Sequence, residues 1–251
     1  MKKWVMILLV ILASVCTGVG YYYYNYIYRA PANVKDREFA ETNSAYEYLV
    51  YDSKERMVKN KYDYKVLINP VGGGHDSGLT AGTLRESEVA LSVARYVESL
   101  NEDAALGIFM TRDTDTDPTY EQRLSMIETV DPDMIIELRL TSSDDPEIMG
   151  TSILYDEEYY DPHLVNSDLA DMMERSIIDK TEGRAEGIFA LQDGVSDYIK
   201  TSHRPSVVIK MGYVSNSKEA EALLSETYRS NIALGILGGI DSARHTQIRE
   251  D

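Results

Sequence analysis

An apolar run that ends in Asn-Pro and breaks into a glycine cluster constrains this fold more than any other stretch of the chain. Residues 66–78 read V-L-I-N-P-V-G-G-G-H-D-S-G. Val66, Leu67 and Ile68 follow one another without polar alternation, which predicts a strand buried on both faces, as in parallel sheets. Gly72, Gly73 and Gly74 then let the backbone turn sharply at the strand's carboxyl end. Open α/β sheets place their ligand sites outside the carboxyl ends of the strands, so this loop is where chemistry is expected.

Downstream, strand and helix patterns alternate. Residues 66–68 predict a strand, Glu86–Leu100 a helix with Val89, Val93, Ala94 and Val97 on one face, and Leu106–Met110 a second strand. Tyr120–Val130 reads as a helix, residues 134–140 and Thr151–Tyr155 as strands, and 164–178 as a helix. A short strand over 188–191, a buried strand over 207–211 and a helix over 227–240 close the pattern. Strands separated by helical segments predict an α/β fold: one domain over residues 65–241, with a mostly parallel central sheet and helices on both faces. A polar tail, 242–251, follows it, and no internal repeat is visible.

The amino-terminal region has a different character. Lys2 and Lys3 precede an uncharged stretch, 4–20, rich in Ile, Leu and Val, and six tyrosines follow between Tyr21 and Tyr28. Together they predict a transmembrane helix with an interfacial aromatic belt, a membrane anchor over residues 1–28. The two lysines place the amino terminus in the cytoplasm and the rest of this single-pass chain outside the cell membrane. A cleaved signal peptide is the competing reading, and it lacks a small-x-small cleavage site before the tyrosines. Ala13-Ser14-Val15-Cys16 approaches a lipoprotein box, but Val15 is bulkier than that motif wants. Residues 29–64 are polar and tyrosine-rich without a strand period, and read as a stalk. Acidic residues outnumber Lys and Arg 42 to 25, giving a formal net charge of -17, which argues against a nucleic-acid partner. Cys16, the single cysteine, excludes a disulfide framework or a cysteine metal site in the folded part.

Several motifs, in order, carry a resemblance. They are Thr111-Arg112-Asp113 followed by Asp115 and Arg123, Asp133-Met134-Ile135-Ile136, Gly150-Thr151, the segment from Pro205 to Asn216, and the opening strand with Asp76 and Gly78. Across residues 65–240 the chain resembles the zinc-dependent N-acetylmuramoyl-L-alanine amidases, which cut the bond between glycan and stem peptide in peptidoglycan. The resemblance implies their phosphorylase/hydrolase-like amidase fold. It also implies a zinc site built from a His in the glycine loop, a Glu opening the next helix and a His ending the third strand, with a Glu on the last strand for proton transfer.

Laid over those motifs, the chain has Gly72 at the first His, Glu86 at the metal Glu, Arg139 at the second His and Lys210 at the catalytic Glu. Catalytic zinc needs about three protein ligands and an open position for water. Arg139 offers no lone pair, and Lys210 acts as a base only with a heavily depressed pKa. The expectation is therefore a degenerate pocket with no catalytic residue and no metal or other cofactor. In it Arg139 and Lys210 replace the metal's positive charge and pair with Glu86, while Glu137, on the same strand face as Arg139, is positioned to join them. The alternative is a relocated zinc site using His75, Glu86 and His203, which would make the protein an active amidase. The bland reading leaves His75, His163, His203 and His245 as exposed polar residues. Asp113, Asp115 and Asp117 have calcium-loop spacing, but Pro118 and Leu124 break that motif. No Gly-Lys-Ser/Thr or G-x-S-x-G sequence supplies a phosphate cradle or a serine elbow.

The functional expectation is thus a membrane-anchored, extracytoplasmic amidase-like protein without amidase chemistry, which binds peptidoglycan or regulates a cell-wall enzyme. A structural subunit of an envelope complex, using the tyrosine-rich stalk as its contact surface, is a third reading.

Overall fold

A computed structural model describes residues 61–248 apart from 160, 162 and 193. The expected anchor, and the stalk as far as residue 60, lie outside the described residues. Among the described residues no helix is long and apolar enough to cross a membrane.

The elements, in chain order, are β1 (Tyr64–Pro70), β2 (Thr80–Ala81), β3 (Leu84–Arg85), α1 (Glu86–Leu100), β4 (Leu106–Met110), α2 (Tyr120–Val130), β5 (Met134–Thr141) and β6 (Thr151–Tyr155). They continue as α3 (Asn166–Thr181), β7 (Ala185–Ala190), α4 (Asp197–Ser202), β8 (Ser206–Tyr213), α5 (Ser217–Leu224) and α6 (Glu226–Ile248). Six strands form one sheet in the order β4-β1-β5-β8-β6-β7, and β2 pairs with β3 in a small hairpin. β1 is buried at every position, as its unbroken apolar run predicts.

The sheet is mostly parallel, and the exception has a local cause. β6 runs antiparallel to β8, with β7 parallel to β6. The link from β5 to β6 contains no helix, whereas a parallel crossover needs a dozen or more residues, so the chain reverses direction there.

The period of two along each strand divides the core. Val66, Ile68, Ile136, Leu138, Val207 and Ile209 face α1, α3 and α6, which pack closely together. Leu67, Ile135 and Val208 face the opposite way, against Met126, Ile127 and Val130 of α2 and Tyr198 and Ile199 of α4. Asn69, Glu137, Arg139 and Lys210 continue this second set toward the carboxyl ends of their strands. That geometry carries the polar residues to one end of one face.

The ends of two elements differ from the sequence reading. α6 runs on to Ile248, so most of the segment read as a polar tail is helical. Ala243 is buried, the Tyr64 hydroxyl donates to Gln247 Oε1 at 2.6 Å, and Arg244 pairs with Asp103 at 2.5 Å. β1 begins at Tyr64, within the expected stalk, and the ring of Tyr62 before it meets Phe109 edge-on at 5.8 Å.

Candidate functional site

The glycine loop after β1 is held by a buried arginine. Arg112 is fully buried, and its guanidinium donates to the carbonyls of Pro70 at 2.9 Å, Val71 at 2.9 Å, Ser87 at 2.8 Å and Thr114 at 3.0 Å. One planar fork thus ties the loop to the start of α1 and to its own turn. Burial pulls the Arg112 pKa down to about 10, so the group is still charged at neutral pH. The loop also closes on itself: Gly73 and Asp76 exchange backbone hydrogen bonds of 2.7 and 2.9 Å.

This closure decides what residue 72 can carry. Gly72 has φ +67°, the left-handed region that favours glycine, and a Cβ there would lie 2.8 Å from the Asp76 carbonyl oxygen. The loop is therefore built for glycine at 72, rather than being a histidine loop with its side chain removed.

Glu86 opens α1 and is buried. Its Oε1 accepts from the Leu140 amide at 2.9 Å and its Oε2 from the Leu79 amide at 2.8 Å. The expected pairing of Glu86 with Arg139 and Lys210 is corrected here: both carboxylate oxygens hold backbone amides, which leaves Glu86 as a charged neighbour of Arg139 without an ion pair to it.

Arg139 pairs instead with Glu137. Its Nε donates to Glu137 Oε1, which also accepts from Ser196 Oγ, and Glu137 Oε2 accepts from Asn69 Nδ2 at 2.9 Å. Asn69 Oδ1 in turn accepts from Thr111 Oγ1 at 2.6 Å and Arg123 Nε at 3.1 Å. The result is a satisfied network around a buried carboxylate, the arrangement that an ion at this depth requires. Burial lowers the Arg139 pKa, but Glu137, its hydrogen bond and the charge of Glu86 outweigh that and leave it raised. Burial, and then the charge of Glu137, pushes the Tyr198 hydroxyl well above the usual phenol range, so it stays protonated.

Lys210 lies on the same sheet face, paired with Arg139 across β5 and β8. It does not line the cavity bounded by Gly72, Glu86, Glu137 and Arg139, which has a volume of about 470 Å³. Among the described residues, its side chain makes no hydrogen bond or ion pair.

The residues of the alternative zinc site are not brought together. His75 is exposed on the glycine loop and does not line the cavity. His203 is exposed just before β8, at the amino end of a strand whose carboxyl end bears the site. No group of three His, Cys, Asp or Glu able to hold a metal occurs among the described residues. The donor set does not fit the zinc that the resemblance implies. Glycine supplies no ligand, arginine has no lone pair to offer, and one carboxylate does not make a tetrahedral site.

Several participants had weak or no signals in the sequence. Ser196, which precedes α4, reaches the network and Tyr198 on α4 lines the same cavity; that helix of six residues is too short for a hydrophobic period to reveal. Asn69 was visible only as part of the strand-ending Asn-Pro. Two distant motifs turn out to serve one residue: buried Glu219 accepts from the Gly150 amide at 3.0 Å and the Tyr213 amide at 2.7 Å. Asn216 caps α5, accepting from the amides of Lys218 and Glu219.

Residues 66–242 match the family described as N-acetylmuramoyl-L-alanine amidase. The chain is 28% identical over 192 residues to the germination-specific N-acetylmuramoyl-L-alanine amidase of Bacillus subtilis, covering 70% of this chain and 77% of the relative. Among solved structures it is similar to the catalytic domain of CwlV, an N-acetylmuramoyl-L-alanine amidase from Bacillus (Paenibacillus) polymyxa, with 26% identity and TM-score 0.65 over 73% of this chain and 99% of that one. The CwlD amidase of Clostridioides difficile, solved in complex with the GerS lipoprotein, shares the fold at TM-score 0.66 and 19% identity over 73% and 99% of the two chains.

Proposed function

The chain belongs to the N-acetylmuramoyl-L-alanine amidase family, and from that membership we propose that it is a wall-binding or regulatory protein on an amidase scaffold, without zinc hydrolysis of its own. The observation that carries this reading is the state of the ancestral metal position. Gly72 sits where a side chain meets the Asp76 carbonyl, and Arg139, held by Glu137, projects a fixed positive charge toward Glu86. A cation at that point opposes a divalent metal. The remaining carboxylates are also engaged: Glu137 accepts from three side chains and Glu86 from two amides.

The scaffold, by contrast, is kept intact. Arg112 still clamps the loop and Glu219 still joins the start of β6 to the end of β8. A stable fold around a cavity without its catalytic groups supports binding rather than turnover. The apolar segment and tyrosine belt of residues 1–28 support placement of this domain outside the cell membrane, joined to the anchor by the polar stretch up to residue 64. Peptidoglycan, or an enzyme that acts on it, is the partner that family membership favours. The solved pairing of CwlD with a lipoprotein supports a partner-binding role for this fold.

Co-sedimentation of the full-length protein with purified sacculi tests the binding, with release of stem peptides followed in the same tubes. The expected result is retention above a control protein without peptide release. Release of stem peptides that ceases on adding a zinc chelator would overturn the reading. Absence of retention would remove peptidoglycan as the ligand.

A further inference from the structure

The register of the sheet draws two rows of side chains across the face that carries the site. Arg139 is paired with Lys210, Lys210 with Ser152, and Ser152 with Gly187. Directly paired residues on neighbouring strands point to the same side, so these four form one row across β5, β8, β6 and β7. The adjacent row is Glu137, Val208, Leu154 and Phe189.

The first row is polar and ends at a glycine, and the second is mainly apolar and ends at an aromatic ring. At Gly187 the row has no side chain, while Phe189, on the edge strand, is 46% exposed. The rows bound a second cavity of about 430 Å³, lined by Arg139, Lys210, Ser152, Leu154, Phe189 and Glu186 among others. Among the described residues, Arg139 alone lines both cavities.

The charges in this row are unbalanced. Arg139 and Lys210 are like charges placed opposite one another, an arrangement that destabilises a sheet. Glu137 engages Arg139 through Nε alone, which leaves the two Nη nitrogens. Among the described residues, neither the Lys210 ammonium nor the Ser152 hydroxyl has a side-chain hydrogen bond. Three sets of donors thus line one cavity, and Glu186 and Gln192 are the acceptors on its wall. The nearby Glu186 accepts from the Tyr213 hydroxyl at 2.5 Å, and its negative charge on the rim disfavours multiply charged anions such as phosphate.

We propose that this cavity binds the free carboxylate of a short peptide, held by Arg139, Lys210 and Ser152, with a small apolar side chain of that peptide against Leu154 and Phe189. Arg139 presents the paired N–H groups that suit a carboxylate, and a singly charged carboxylate meets less repulsion from Glu186 than a multiply charged anion does. The assignment rests on the wall-binding reading only for the source of the peptide.

The test is titration calorimetry of the full-length protein in detergent, using the stem tetrapeptide with free carboxylates, the same peptide with every carboxylate amidated, and inorganic phosphate. The expected result is that the free acid binds at least about tenfold more tightly than the amidated peptide, the scale of one charge-assisted hydrogen bond. Lys210→Gln should lose about tenfold for the acid and nothing for the amide, Lys210→Arg should keep most of the affinity, and melting temperatures should match. Equal binding of acid and amide, or no change in Lys210→Gln, would overturn the site. Phosphate displacing the peptide at equal concentration would overturn the carboxylate assignment. Sacculus retention without this acid-over-amide contrast removes the cavity's role and leaves the wall-binding reading standing; the contrast without sacculus retention does the reverse.

Discussion

Replacing Arg112 with methionine is expected to destabilise the domain by at least about 3 kcal/mol, because it strands the buried carbonyls of Pro70, Val71 and Ser87 at ~1–3 kcal/mol each. That is a large share of the ~5–15 kcal/mol that holds a domain of this kind folded. Arg112→Lys should recover under half of the loss. A lysine keeps the charge but has no planar fork to reach carbonyls from β1, the glycine loop and α1 together. Chemical denaturation of the three proteins measures both effects. A loss below about 1 kcal/mol for Arg112→Met would mean that the loop is held by its own backbone hydrogen bonds, and the clamp would have to be abandoned.

The second large effect comes from introducing the ligands that the resemblance implies. Gly72→His should cost about 2–3 kcal/mol, since a left-handed backbone is unfavourable for a residue with a Cβ by ~1–2 kcal/mol, and that Cβ would stand 2.8 Å from the Asp76 carbonyl oxygen. The same argument predicts that Gly72→His combined with Arg139→His and Lys210→Glu gains neither zinc nor amidase activity. Two histidines and two glutamates would be present in name, yet the loop would aim the first histidine by a backbone shaped for glycine. Thermal melts and metal analysis of the triple variant check this. Zinc bound one-to-one without loss of melting temperature would show that the loop still keeps the geometry of an active enzyme.

Much of the architecture was legible because it rests on long, strongly patterned segments. The apolar run at Val66 to Ile68 is a strand buried on both faces, and the predicted helix over Tyr120–Val130 starts at a capping box between Thr119 and Gln122. What escaped was short or exposed. The β2–β3 hairpin has strands of two residues and α4 has six, while β7 was expected only from residue 188 although it begins at Ala185, in a half-exposed stretch with little apolar alternation.

The site divides along a similar line. That Glu137 shares a face with Arg139 follows from the period of two, whereas reading Arg139 at the position of a metal histidine rests on the resemblance alone. The partner of Glu86 follows from neither, because backbone amides leave no mark in a sequence: Leu79 and Leu140 are apolar residues whose N–H groups meet that carboxylate only after the loop and β5 are placed. Lys210 was expected to join Glu86, yet the row across the sheet pairs it with Ser152 on a strand whose direction could not be read from pattern. A helix-free link between β5 and β6 set that direction, and with it the second cavity.

The proposal that the pocket of Gly72, Glu86 and Arg139 holds no zinc is tested most directly by the metal content of the full-length protein, purified without a histidine tag and dialysed against trace zinc. Far less than one zinc per chain is expected, with a melting temperature that does not respond to a chelator. About one tightly held zinc per chain, lost together with stability on chelation, would contradict it.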